Sequence, residues 1–203
     1  MTQEQYEELV QYKTGSLIAA ATEMGADLTG APAMRERRQH FRRFGDQLGV
    51  AFQIADDLLD YLGSPKVTGK PVGSDLAEGK VTLPLIAALR QATEADRRVL
   101  KRLALRKRWT AAQWTQLLEL VDKCGGFDTA RGRALELAAE ARRLVLADPA
   151  TRGGRANGTA ASVPHARGAR LNGNGSPASA SPALRAVRRS LERAVDYSVL
   201  RNS

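Results

Sequence analysis

A chain of 203 residues, 43% of them hydrophobic and 26% charged, has room for one domain with its own core and not for two ordinary ones. The formal charge is +9, from 31 Lys+Arg against 22 Asp+Glu, but much of the excess is arginine in the last third and aromatics are only 5%. With so few stacking platforms a nucleic-acid partner is not expected, and a basic surface that attracts small anionic substrates accounts for the same charge. The single cysteine, Cys124, excludes an internal disulfide, fits a reducing compartment and stands at a helix end, where a structural role is expected. No apolar run approaches the ~20 residues of a membrane span, and the polar, acidic start MTQEQYEELV is not a secretory signal, so a cytoplasmic location is expected.

In chain order, nearly every periodic segment has helical spacing and none alternates as a strand does. Residues 2–11 read as the end of a helix. Tyr12 to Ser16 follow, and then a small apolar stretch, LIAAATEMGA, whose alanines and glycine permit close helix approach. Gly30-Ala31-Pro32 breaks the chain. Residues 34–62 read as one long helix with an apolar stripe of Phe41, Phe44, Leu48, Phe52, Ala55, Leu59 and Leu62. A second stripe, Gly49, Gln53, Asp56 and Asp60, is offset by about 100° around the axis. Acids beside the core face, and not opposite it, predict a helix inside a bundle with its carboxylates turned into a cavity.

Residues 63–79 are rich in Gly and Pro and read as a functional loop. Thr82 and Pro84 open a helix, LPLIAALRQ. Thr93 with Asp96 and Thr110 with Gln113 form N-terminal capping patterns for helices over about 94–106 and 110–122. Trp109 and Trp114 are expected to be packing residues, and residues 127–147 form a last long Ala/Leu/Arg helix. Residues 148–182 contain almost no large apolar side chains and are predicted to be a disordered insertion. Leu184, Val187, Leu191, Val195 and Val199 then pattern a C-terminal helix. The expected organisation is a helical bundle over 1–147, the insertion over 148–182, and a docking helix over 183–203.

The stretch Gly49 to Lys80 carries the chemistry. Asp56 and Asp60 are i, i+4 on one helix with Asp57 on the same turn, and like charges at that spacing destabilise a helix unless a cation lies between them. Carboxylates suit Mg²⁺, which also binds substrate phosphates, and the lysines that follow supply positive charge to phosphate. A metal-bridged diphosphate is the chemistry this pattern indicates.

Phe52-Gln53-x-x-Asp56-Asp57-x-x-Asp60, followed by Gly69-Lys70, Asp75 and Gly79-Lys80, resembles the second aspartate-rich motif of the trans-isoprenyl diphosphate synthases, or polyprenyl synthetases. Lys13-Thr14-Gly15 resembles that family's KT motif, and Val195-Asp196-Tyr197 is similar to its C-terminal helix. GKPVGSDLAEGKVTLPLI is more similar to the medium- and long-chain enzymes, of heptaprenyl or octaprenyl type, than to farnesyl synthases. The resemblance implies an all-α fold, an isoprenoid-synthase-type helical bundle around a deep cavity. It implies head-to-tail condensation of an allylic diphosphate with isopentenyl diphosphate in isoprenoid or quinone side-chain biosynthesis, with Mg²⁺ as cofactor. Carried onto this chain, Asp56 would ligate the metal, with Asp57 and Asp60 completing or supporting its shell. Lys13, Lys70 and Lys80 would hold the allylic diphosphate, Thr14 and Gln53 would lie near the developing cation, and Lys80 would also help close a lid to which Asp75 belongs. His40 and His165 have no partners at ligand spacing and receive no role.

The family has two aspartate-rich motifs on facing helices, and this chain contains no other DDxxD. The resemblance therefore extends to the C-terminal half to two-thirds of the family fold, and its N-terminal helices are expected to be lacking. The first motif is expected from a missing N-terminal half or a partner, in a homodimer or a hetero-oligomer. Alternatives are a non-catalytic diphosphate-binding or regulatory subunit, an inactive truncated paralogue, a terpene cyclase and a basic nucleic-acid binder. Product length is not readable from this stretch.

Overall fold

The structure, a computed structural model, describes residues 1–27, 34–63 and 72–147, with no strand among the described residues. Lys70, His165, and the predicted insertion and C-terminal helix fall outside them. Helix α1 (Gln3–Val10) starts at a capping box in which Thr2 accepts from the Gln5 backbone and the Gln5 side chain accepts from the Thr2 backbone. It does not end near residue 11 as the sequence predicts. It runs through a wider π turn, Gln11–Gly15, where the Ser16 N–H reaches the Gln11 carbonyl, into α2 (Ser16–Asp27). Such π turns concentrate at functional sites, and this one carries Lys13 and Thr14.

Helix α3 (Met34–Leu62) is the axis of the molecule, packed on one side by α2 and on another by α8 (Gly126–Leu146). The α2 seam is nearly backbone to backbone. A Cβ added at Gly49 would stand 2.6 Å from the Gly15 Cα, and one at Gly45 would stand 2.5 Å from the Ala19 Cα. Real Cβ atoms do not approach so closely, so glycine at 45 and 49 is a condition of this contact.

The core-facing line of α3 differs from the predicted stripe. Phe44, Leu48, Ala51, Ile54, Leu58 and Tyr61 are buried, while Phe52 is 44% and Leu62 43% exposed and Leu59 is half-buried. Beyond Leu48 the buried line rotates, because neighbours on two sides, and not side-chain hydrophobicity alone, decide which face is covered. That rotation buries Asp57 and leaves Asp56 exposed.

Within the expected loop, Ser74–Ala77 forms a one-turn helix, α4. The α5 (Leu83–Gln91), α6 (Glu94–Ala104), α7 (Ala111–Lys123) and α8 helices complete the described bundle. The capping patterns form as read: Thr93 accepts from the Asp96 N–H, and Thr110 and Gln113 make a full capping box. Cys124 is the buried C-cap of α7. His40 is bonded to the Leu144 carbonyl on α8, a structural role. Trp109 and Trp114 meet edge to face at 5.3 Å, and Trp114 stacks on Tyr61, as packing residues should. Trp114 also lies so close to Gly73 that a Cβ there would stand 2.5 Å from the ring; Gly73 has φ 75°, where glycine is favoured in any case.

Candidate active site

The π turn and the C-terminal half of α3 form the centre of the site, and α1 adds one residue to it. Their close approach at Gly15 and Gly49 brings polar side chains into direct contact. Thr14 Oγ1 donates to Gln53 Oε1 at 3.0 Å, and Gln53 Nε2 donates to Asp57 Oδ1 at 2.9 Å. Tyr6, one helical stretch upstream, donates its hydroxyl to Asp57 Oδ2 at 2.6 Å. The result is a hydrogen-bonded line, Thr14–Gln53–Asp57–Tyr6, that crosses between the helices.

Asp57 is only 3% exposed. Burial pushes its carboxyl up to about 6, although the Tyr6 and Gln53 hydrogen bonds pull the other way. The Tyr6 hydroxyl is held well above its usual range by burial and by the neighbouring Asp57. Tyr6 was not singled out from the sequence. The available signal was its spacing: Tyr6 and Val10 are i, i+4, both buried, one and two turns before Lys13 and Thr14.

The three aspartates of the motif have three different environments. Asp56 is exposed and makes no hydrogen bond or ion pair among the described residues. Asp57 is the buried one. Asp60 organises the loop: its Oδ1 accepts from the Ser74 N–H at 3.1 Å and the Ser74 hydroxyl at 2.7 Å, its Oδ2 accepts from the Asp75 N–H at 3.1 Å, and its carbonyl accepts from Gly73 N–H at 2.8 Å. The chain leaving α3 is thereby pinned back onto it.

Of the cations, Lys13 is exposed and without an acidic partner among the described residues. It sits one residue from the Thr14–Gln53 bond, and Asp56 lies one helical turn beyond Gln53. Lys80 is engaged, at 2.7 Å from Asp75 and 2.8 Å from Glu78, and those two acids hold its ammonium above the ordinary lysine range. The structure thus joins Thr14, Gln53 and Asp57 directly, places Lys13 and Asp56 on the adjoining turns, and sets Asp60, Asp75 and Lys80 together as a loop anchor.

Among the described residues, no three His, Cys, Asp or Glu side chains converge on a point suited to enclosing a metal ion. Mg²⁺ does not need such a cage. It commonly keeps several waters and binds through one or two carboxylates plus substrate phosphate oxygens. The exposed carboxylate of Asp56 fits that open mode of binding, while Asp57, buried with both oxygens accepting from Tyr6 and Gln53, lies beside it as a fixed neighbour. The arrangement can offer oxygen ligands to a hydrated cation from α3 and an ammonium group from the π turn to an anion.

The polyprenyl synthetase family pattern matches residues 1–121. The chain is 42% identical over 135 residues to an all-trans-nonaprenyl-diphosphate synthase (geranyl-diphosphate specific) of Rhodobacter capsulatus, across 66% of this chain and 40% of the relative. It is 36% identical over 151 residues to the octaprenyl diphosphate synthase of Escherichia coli, across 74% of this chain and 46% of that enzyme. The polyprenyl synthase of Caulobacter crescentus, solved with calcium and isoprenyl diphosphate, superposes with a TM-score of 0.73 at 28% identity, covering 100% of this chain and 51% of that one. The chain spans about half the length of the proteins it matches, or less. The helical bundle, the aspartates on its axial helix and these matches agree: this chain belongs to the polyprenyl synthetase family.

Proposed function

We propose that this chain acts in the condensation of an allylic diphosphate with isopentenyl diphosphate to give a polyprenyl diphosphate, supplying the second aspartate-rich side of the site. The facing acidic motif then comes from sequence outside these residues, in the same polypeptide or in a partner of a homodimer or hetero-oligomer. The observation that carries this reading is the Thr14–Gln53–Asp57–Tyr6 line beside the exposed Asp56.

In this reading Asp56 would hold Mg²⁺, with Asp57 fixed beside it and Asp60 ordering the loop. The metal, when bound, would neutralise charge on the departing diphosphate. Lys13, joined by Lys70, binds that diphosphate electrostatically. As the allylic C–O bond breaks, the Thr14 hydroxyl and Gln53 amide oxygens present the negative ends of their dipoles near the carbon that becomes cationic. Their orientation is set beforehand by the bond between them and by Asp57, so little reorganisation accompanies the charge. The isopentenyl double bond then forms the new C–C bond and a proton is lost. Lys80 and Asp75, held together through Asp60, anchor the loop that keeps water from the cation. The described helices include none long and apolar enough to cross a membrane, and a cytoplasmic site of action accords with that.

The test is a Mg²⁺-dependent assay with a radiolabelled allylic diphosphate and isopentenyl diphosphate, run on the 203-residue chain mixed with a family subunit carrying the first motif. Polyprenyl product that disappears with Asp56→Ala supports the reading; equal turnover by Asp56→Ala overturns it. A second reading, a diphosphate-binding subunit without turnover, is favoured by the engagement of Asp60 and Lys80 inside the protein. It predicts Mg²⁺-dependent binding of the allylic diphosphate and no product with any partner.

A further inference from the structure

A second concave site lies away from the aspartates, between the α4–α5 connection and the C-terminal end of α6. It has a volume of about 450 Å³, within the range of small-molecule pockets. Its accessible apolar surface comes from Val81, Leu89, Ala104 and Leu105, over the buried Leu76 and Leu85. Its rim is basic on the α6 side, with Lys101, Arg106 and Lys107, and carries Glu78 and Lys80 opposite.

The two rims differ. Lys80 is neutralised by Asp75 and Glu78. Lys101, Arg106 and Lys107 are exposed and have no acidic partner among the described residues. A helix C-terminus favours cations, which accounts for Lys101 in the last turn of α6. It does not account for Arg106 and Lys107, which follow the helix end, nor for the apolar opening beside them. Leu105, at the lip, is 85% exposed. An uncharged apolar molecule would leave the three cations unused, and an inorganic anion would leave Val81, Leu89 and Leu105 wet.

We propose that this groove binds an anionic single-chain amphiphile, with its apolar chain over Val81, Leu89 and Leu105 and its head group among Lys101, Arg106 and Lys107. The inference rests on none of the aspartate-helix residues and stands or falls separately from the prenyl-transfer reading.

The probe is dodecyl phosphate, held below its micellar concentration, titrated into the full 203-residue chain without divalent metal. Calorimetry measures affinity, and ¹⁵N amide shifts locate the site. Saturable one-to-one binding is expected, with shifts concentrated in residues 76–81 and 101–107. Lys101→Ala with Lys107→Ala should weaken binding about tenfold or more, since both charged contacts to the head group are lost. Arg142→Ala with Arg143→Ala removes the same charge from α8 and should leave affinity within about twofold. Ala104→Trp narrows the groove without touching a cation and should also abolish saturable binding, which keeps the test valid if the lysine variant is destabilised. Dodecyl maltoside should bind at least tenfold more weakly than the phosphate. The proposal is overturned if the shifts centre on residues 13–14 and 53–57, if the two double variants lose affinity equally, if the neutral amphiphile binds as tightly, or if the chain binds anionic vesicles but not the monomer.

Discussion

The two sides of α3 are held by different physics. Toward α5, α7 and α8 the contact is a conventional apolar core, with Ile54, Leu83, Leu85, Leu117 and Val121 at 0–1% exposure. Toward α1, the π turn and α2 the contact is mixed: Tyr6 and Val10 join the core, but at the α2 seam glycines meet backbone, and Thr14, Gln53, Asp57 and Tyr6 satisfy one another. The apolar side tolerates volume-conserving exchange, as cores do. The polar side does not, since each of its groups depends on a particular partner at a particular distance. The difference teaches that apolar burial is concentrated on one side of the axial helix and mutually oriented polar groups on the other.

Variants can break that division, beginning with the largest effect. Leu83→Ala, in the apolar core, should lower unfolding free energy by about 2–5 kcal/mol in denaturant titrations. It should leave Mg²⁺-dependent diphosphate binding intact in the fraction that remains folded. Gly49→Ala should lose about 1–3 kcal/mol through overpacking against Gly15. It should weaken diphosphate binding further than that loss alone accounts for, because it separates Thr14 from Gln53; binding unchanged in the folded protein would contradict the division.

Tyr6→Phe removes one donor from the buried Asp57 carboxylate and should destabilise by about 1–3 kcal/mol at neutral pH. Asp57→Asn combined with Tyr6→Phe should recover part of that, which a double-mutant cycle measures.

The smallest effect is expected where α1 is tied to α8. Arg133 donates to both carboxylate oxygens of Glu7, at 2.9 and 2.8 Å. Burial alone would raise the Glu7 carboxyl, but the Arg133 and Gln3 hydrogen bonds outweigh it and hold it below its usual 4.5. A depressed carboxylate contributes stability that is present above pH 4.5 and lost as pH falls through the lowered value. Glu7→Gln should therefore lose about 1 kcal/mol at pH 7 and nothing well below pH 4, with the two stability profiles converging in acid. Parallel profiles would show that the pair contributes nothing pH-dependent.

The helices were legible because apolar side chains recur at helical spacing and because Thr93 and Thr110 carry caps that act within four residues. The motif Gln53 to Asp60 was legible because its members share one helix. Tyr6 was not, since its partner Asp57 is 51 residues away and nothing local marks a tyrosine as the donor to a distant acid. The π turn was also hidden: Gln11 to Gly15 reads as a helix end, and the wider turn forms where Gly15 meets Gly49 on α3. The groove between Leu76 and Lys107 joins residues from three elements, none of them unusual alone.

Local chemistry by itself determined the all-helical architecture, the capped helix starts and the resemblance that led to the family. Tertiary structure alone decided that Asp57 is buried, Asp56 exposed and Asp60 spent on the loop, although the three stand within five residues. Helical periodicity sets only which side chains share a face. Which face is covered depends on where α2 and α8 press against α3, and that is settled by glycines 45 and 49 and by partners far along the chain.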